Sequence, residues 1–160
     1  MEFNNLRLTE SSVCDCMSGS QEDTERTFVR RITENKSLRI RHFKTELEKP
    51  DKVLVVNNCI DFCKYRELSI NNISDYDEEE VVASYLPDIQ KQLIFAPKKE
   101  FYYCKFRFKS GAGKTKHTPQ HGHISHYDFY KSDEFSIEHI DILSLPILIA
   151  CPLPTPVQEE

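Results

Sequence analysis

The side chains with most chemistry to offer are crowded into HTPQHGHISHYD, where His117, His121, His123 and His126 follow the pattern H-x3-H-x-H-x2-H and Asp128 comes two residues later. Two chemistries suit such a group. As metal ligands, His121, His123 and His126 with Asp128 as an oxygen ligand would suit zinc or another borderline ion. The spacing matches none of the usual zinc patterns, however, and on a strand His121 and His123 share a face while His126 points the other way. As acid–base catalysts, two imidazoles titrating near neutral pH could serve a 2′-hydroxyl and a 5′-leaving oxygen of RNA. His117, His121 and His123 are the catalytic candidates in that reading, and Lys114 or Lys116 would stabilise the charged phosphorane. Loop 114–128 would then be the active site of a small phosphodiesterase or a metal-assisted hydrolase.

Just upstream, Ser110 to Thr115 reads SGAGKT and resembles the end of a phosphate loop. The Gly required five positions before the Gly-Lys pair is replaced by Phe108, and KHTPQHGHIS is a poor helix start, so a flexible basic loop explains the segment better. Preceding it, Tyr102 to Lys109 alternates with period two. Tyr102, Cys104, Phe106 and Phe108 fall on one face, and Tyr103, Lys105, Arg107 and Lys109 on the other. Lys105, Arg107, Lys109 and Lys116 therefore form the expected binding row, within a basic stretch, 98–116, that could also meet nucleic acid, with Tyr102, Tyr103 or Tyr127 stacking on bases.

The six cysteines carry less. Cys14-x-Cys16 and Cys59-x3-Cys63 could assemble a four-sulfur zinc site, but neither pair has the two-residue gap usual for one, and core thiols are the simpler reading. No cofactor is required by any of these patterns.

These residues must be positioned by a chain of 160 residues that is 39% hydrophobic and 29% charged, with a net charge of −5. That is enough for one domain with a sizeable core. No run approaches the roughly 20 apolar residues of a membrane span. The polar N-terminus does not read as a secretory signal, so a cytoplasmic protein with reduced thiols and no membrane partner is expected. Charge is segregated: seven acidic and no basic residues from Glu67 to Asp88, then eight basic residues against Glu100 alone from Lys91 to Lys116. Gly is scarce, at four residues where average usage gives about 11, and Gly111, Gly113 and Gly122 lie close together beside the histidines.

Along the chain, residues 1–21 read as a mobile tail. SQED from Ser20 looks like a helix start, with Phe28, Val29 and Ile32 as a thin apolar stripe. Leu38 to Leu47 gives a second segment, Val53–Val56 a buried strand, and Cys59, Phe62 and Cys63 a helical spacing. The acidic run after Ser74 predicts a helix from about Asp75 to Leu86, interrupted at Pro87. Residues 110–122 read as loop, His126–Tyr130 as a return strand, 135–143 as ambiguous and 145–151 as a strand. The tail 152–160, with three prolines, should be extended. The expectation is a single α+β domain over 22–151, with a helical N-terminal half and an antiparallel β-sheet in the C-terminal half. Without a complete catalytic motif, an interaction or regulatory accessory module with a protein partner is the favoured function, and the His-loop hydrolase is the alternative.

Overall fold

Alternation of apolar side chains over two, not four, residues organises this chain. The computed structural model describes residues 1–3, 17–33 and 68–151. Among the described residues, seven strands form one antiparallel sheet: β1 Phe28–Thr33, β2 Leu68–Asn72, β3 Phe101–Phe108, β4 Gly113–His117, β5 His126–Lys131, β6 Ile140–Ile142 and β7 Ile147–Leu148. The order is β4-β5-β2-β1-β3-β6, with β7 also on β3. A helical segment lies between β2 and β3, as α1 Glu78–Ala83 and α2 Leu86–Phe95.

The expected helical N-terminal half is overturned. Phe28, Val29 and Ile32, read as a helical stripe, lie on a central strand held on both sides, Phe28 facing Asn72 on β2 and Phe106 on β3. Residues four apart share a face in either geometry, and here two flanking strands satisfy the backbone. The segment Leu38 to Leu47, the Val53–Val56 run and the four-cysteine proposal (Cys14, Cys16, Cys59, Cys63) lie outside the described residues, as does the Pro-rich tail. The loop expected over 110–122 contains β4, paired with β5 from Gly113↔Lys131 to His117↔Tyr127.

The sheet curls strongly. Phe108 on β3 stacks on Phe129 of β5 with ring centroids 4.1 Å apart, although β1 and β2 intervene and three flat strand spacings would separate them by about 14 Å. Phe28 touches both Phe108 and Tyr127, at 5.7 and 5.5 Å. Phe28, Ile32, Leu68, Ile70, Cys104, Phe106 and Phe129 fill this inner face. The opposite face carries Val29, Phe101 and Tyr103, which pack against Val81, Tyr85 and Ile89 of the helical segment. Asp77 caps α1 by accepting from the Glu80 N–H at 3.2 Å, so the acidic run is spent on a helix start. Gly113 lets β4 approach: a Cβ there would collide with the Tyr130 carbonyl and the Phe129 ring.

Candidate functional site

β1 keeps register with β3 from Phe28↔Phe106 to Thr33↔Phe101, but its register with β2 covers Phe28↔Asn72 and Val29↔Asn71 alone. Beyond Val29 the two strands part, and the main-chain groups between them need other partners. Arg30 supplies one, its Nη1 donating to the Ser69 carbonyl at 2.6 Å. The parting opens a cleft of about 320 Å3. Arg30, Arg31, Ser69 and Asn71 line it from the sheet, Tyr85 and Asp88 from the helical segment, and Gln120, His123 and His126 from the β4–β5 side.

The cleft is built rather than incidental. The Arg31 guanidinium lies 5.9 Å from the Tyr85 ring centroid and 5.7 Å from that of Phe101, close enough for cation–π attraction that fixes its plane. Its Nη1 is buried without a hydrogen-bond partner among the described residues. Burial pulls the Arg30 guanidinium down to about 10, with Arg31 acting in the same direction and Tyr85 against it. Burial also pushes the Tyr85 phenol well up, so it remains a donor, here to Asn71 Oδ1 at 2.6 Å. Asn71 Nδ2 in turn donates to Ser125 Oγ at 3.0 Å.

His126 is buried between strands. Its Nδ1 lies 2.9 Å from the Thr118 carbonyl and its Nε2 2.9 Å from Ser69 Oγ. The Thr118 Oγ1 also lies 2.9 Å from Nδ1; with the Nδ1 proton shared between the Thr118 carbonyl and hydroxyl, Nε2 accepts from the Ser69 hydroxyl. That is a nucleophile–base contact in form. Asp128 Oδ1 is 3.9 Å from Nε2, and Asp128 reaches the Nδ1 side only through the Thr118 hydroxyl, whose Oγ1 is 2.9 Å from Nδ1 and which also hydrogen-bonds Asp128, so no carboxylate touches Nδ1 directly. Burial raises the Asp128 pKa, with His126, Thr118 and Lys116 pulling the other way.

The turn Gln120 to His123 is closed by Gln120 and His123 exchanging backbone bonds at 3.1 and 2.8 Å. Gly122 takes a φ of 77° in it, a left-handed conformation that favours glycine. His121 is left exposed at the tip. His123 lines the cleft, with Nδ1 3.2 Å from Ser84 Oγ. The Ser84 hydroxyl donates to the Val81 carbonyl at 2.5 Å, so its oxygen accepts from His123 Nδ1. His117 sits on the opposite face, stacked on Tyr127 at 4.7 Å and bound through Nε2 to the Ile124 carbonyl at 2.8 Å.

His123 and His126 are thus brought together, whereas His117 and His121 are not. Among the described residues no group of three or more His, Cys, Asp or Glu is placed to hold a metal ion. The basic row is divided too. Lys105 Nζ pairs with Glu78 Oε1 at 2.8 Å, Arg107 Nε donates to Thr27 Oγ1 at 3.1 Å, and Lys109 is exposed. Lys114 Nζ stands 5.6 Å over the Phe3 ring. Lys116 and His117 line a separate hollow of about 410 Å3 that also holds Glu22, Asp23 and Arg26. Sequence reasoning missed Arg30 and Arg31; the available signal was a pair of arginines flanked by Val29 and Ile32. Among the described residues, no helix is long and apolar enough to cross a membrane. No family model matches the chain, and no curated protein or solved structure is significantly similar to it, so the Arg30–Arg31 cleft has to be interpreted from its own chemistry.

Proposed function

We propose that this chain is a non-catalytic interaction or regulatory accessory module that acts in the cytoplasm and holds an acidic group of a protein partner in the cleft between β1 and β2. The observation that carries the reading is Arg31, held against two rings with a buried Nη1 left for a ligand. A buried N–H without a partner costs about 1–3 kcal/mol, which a partner's oxygen would recover. The alternative, an RNA-cleaving or metal-assisted hydrolase in loop 114–128, is less well supported, because His117 and His126 lie on opposite faces and His121 is at a turn tip.

The test is affinity capture from the native host with the intact chain and with Arg31→Ala, alongside incubation with labelled RNA. A protein partner recovered by the intact chain and lost with Arg31→Ala, with RNA left uncut, is the expected result. RNA cleavage abolished by His121→Ala with His123→Ala, or labelling of Ser69 by a fluorophosphonate, would overturn it.

A further inference from the structure

We infer that the outer edge of β7 docks an extended segment of a partner protein that carries a lysine or arginine, adds a strand to the sheet and lays an apolar side chain in the groove between β7 and α1. β1 takes one edge of β3, and β6 and β7 share the other, β6 at Phe106 to Phe108 and β7 at Tyr102 and Tyr103. The hydrogen-bond phase of β7 is set by the Ile149 N–H, which donates to the Phe101 carbonyl at 2.8 Å. Antiparallel pairs alternate between bonded and non-bonded. Ile147 is therefore bonded to Tyr103, while the N–H and C=O of Leu148 and the carbonyl of Pro146 point away from β3. Among the described residues no strand takes them up. Such an edge is a template for one more strand.

The groove beside it measures about 260 Å3. Val82, Ala83 and Leu86 line it from the helical segment, Tyr103 from β3, and the consecutive residues from Ile147 to Ala150 from the edge. Because consecutive edge residues line it, it opens along the edge, where every second side chain of an added strand would fall. Leu148, which alternates with the buried Ile149, is 54% exposed, and Leu145 just before β7 is 86% exposed. Charge selects the occupant. Glu78 and Glu79 also line the groove; Glu78 is held by the Tyr103 hydroxyl at 2.9 Å and by Lys105 at 2.8 Å, and Glu79 is exposed. A second copy of this chain would bring LSLPILIAC, residues 143–151, which has no charged side chain to set against Glu79. A partner segment with apolar residues at alternate positions and a basic residue at its end satisfies edge, groove and carboxylate together. The groove shares no lining residue with the Arg31 cleft, so failure here leaves that reading untouched.

The probe is a blocked peptide, KTVTVTVTK, compared with its counterpart carrying Glu at both ends and with copies N-methylated at the valines or at the threonines. Peptide-induced amide NMR shifts locate it, and amide exchange reads the edge itself. The Lys peptide is expected to shift residues 79, 82, 86 and 147 to 150 and to slow exchange of the Leu148 N–H, which exchanges freely in the chain alone. Binding should fall at least about tenfold with Leu148→Pro, which removes an outward donor and no ladder bond, and likewise for the N-methylated copy whose methyl groups face β7. Glu ends should weaken it roughly fivefold, and Glu79→Lys should reverse that preference. If Leu148→Pro does not fold, the Glu79→Lys reversal and the N-methylated peptides carry the test. No binding at about 1 mM of the Lys peptide, shifts confined to other residues, or binding retained by both methylated copies overturns the assignment. So does a Leu148 N–H already protected in the chain alone, which would mean that another part of the chain holds the edge. A concentration-dependent dimer that is lost with Leu148→Pro would also overturn it, by making a second copy the occupant.

Discussion

On the inner face of the curled sheet, ring contacts run in a chain from Tyr127 through Phe28 and Phe108 to Phe129. Where β1 parts from β2, Arg30 and Arg31 meet, and Arg31 Nη1 is without a hydrogen-bond partner among the described residues. The first region removes apolar area from water, at about 1.5–3 kcal/mol for each fully buried large side chain. The second holds two like charges in a half-buried place, which burial alone opposes. One strand, β1, serves both, Phe28 going to the core and Arg31 to the cleft. The contrast teaches that the stability generated on one face is large enough to hold a polar site in a conformation it would not adopt by itself.

The sharpest way to test that division is to remove the core side. Phe129→Ala, at a fully buried ring stacked on Phe108, is expected to cost about 3–5 kcal/mol in urea denaturation; a loss below about 1 kcal/mol would break the contrast. Gly113→Ala should cost roughly 1–3 kcal/mol, because the added methyl drives β4 off the Tyr130 carbonyl, and a neutral result would mean that β4 does not lie so close. Arg31→Met should go the other way. It keeps an apolar stem against Tyr85 and Phe101 and removes a buried cation, so stability should stay within about 1 kcal/mol of the parent or rise, while ligand capture is lost. A large loss would make Arg31 structural.

The smallest expected effect is on the acid limb of stability. Burial opposes the charge of Asp23, yet backbone and side-chain hydrogen bonds from Arg26 hold its pKa below 3.8. Asp75 is lowered by its bonds from Asn72 and Arg26. Glu78 is also resisted by burial but drawn below 4.5 by Lys105 and Tyr103. Depressed carboxyls contribute stability above their unfolded pKa and lose it as pH falls through the folded value. Asp128, raised by burial, has the opposite sign: its protonation on acidification favours the folded state. Melting temperature followed downward from neutral pH should therefore hold or rise slightly before it falls, and Asp128→Asn should remove the rise. A monotonic fall in the parent would show that the Asp128 carboxylate is not disfavoured.

The parts legible in the sequence are those whose local pattern and final environment agree. The alternation of Tyr102 to Phe108 is β3, the cap and acidic turn after Ser74 are α1, and the break before Pro87 separates α1 from α2. β1 was not legible because Phe28 and Ile32 satisfy a helix and a strand alike. β4 was not legible because Gly113, Thr115 and His117, its sheet-facing set, include no large aliphatic residue; their smallness matters only once Phe129 is known to lie beneath Gly113. The histidines were visible as a cluster, but a turn at Gly122 and the two faces of β4 and β5 send them in different directions. The cleft draws on residues 30, 69, 85, 120 and 126, and no spacing rule joins positions so far apart.

By itself the sequence determined the segregation of charge, the aromatic supply of the core, the acidic start of the helix and the glycine-marked turns, since each depends on neighbours within a few residues. Tertiary structure alone decided that Phe28–Thr33 is a strand and that Arg30 and Arg31 frame a cleft. Both follow from β1 keeping β3 and releasing β2, a choice made by hydrogen bonds and ring contacts between segments dozens of residues apart.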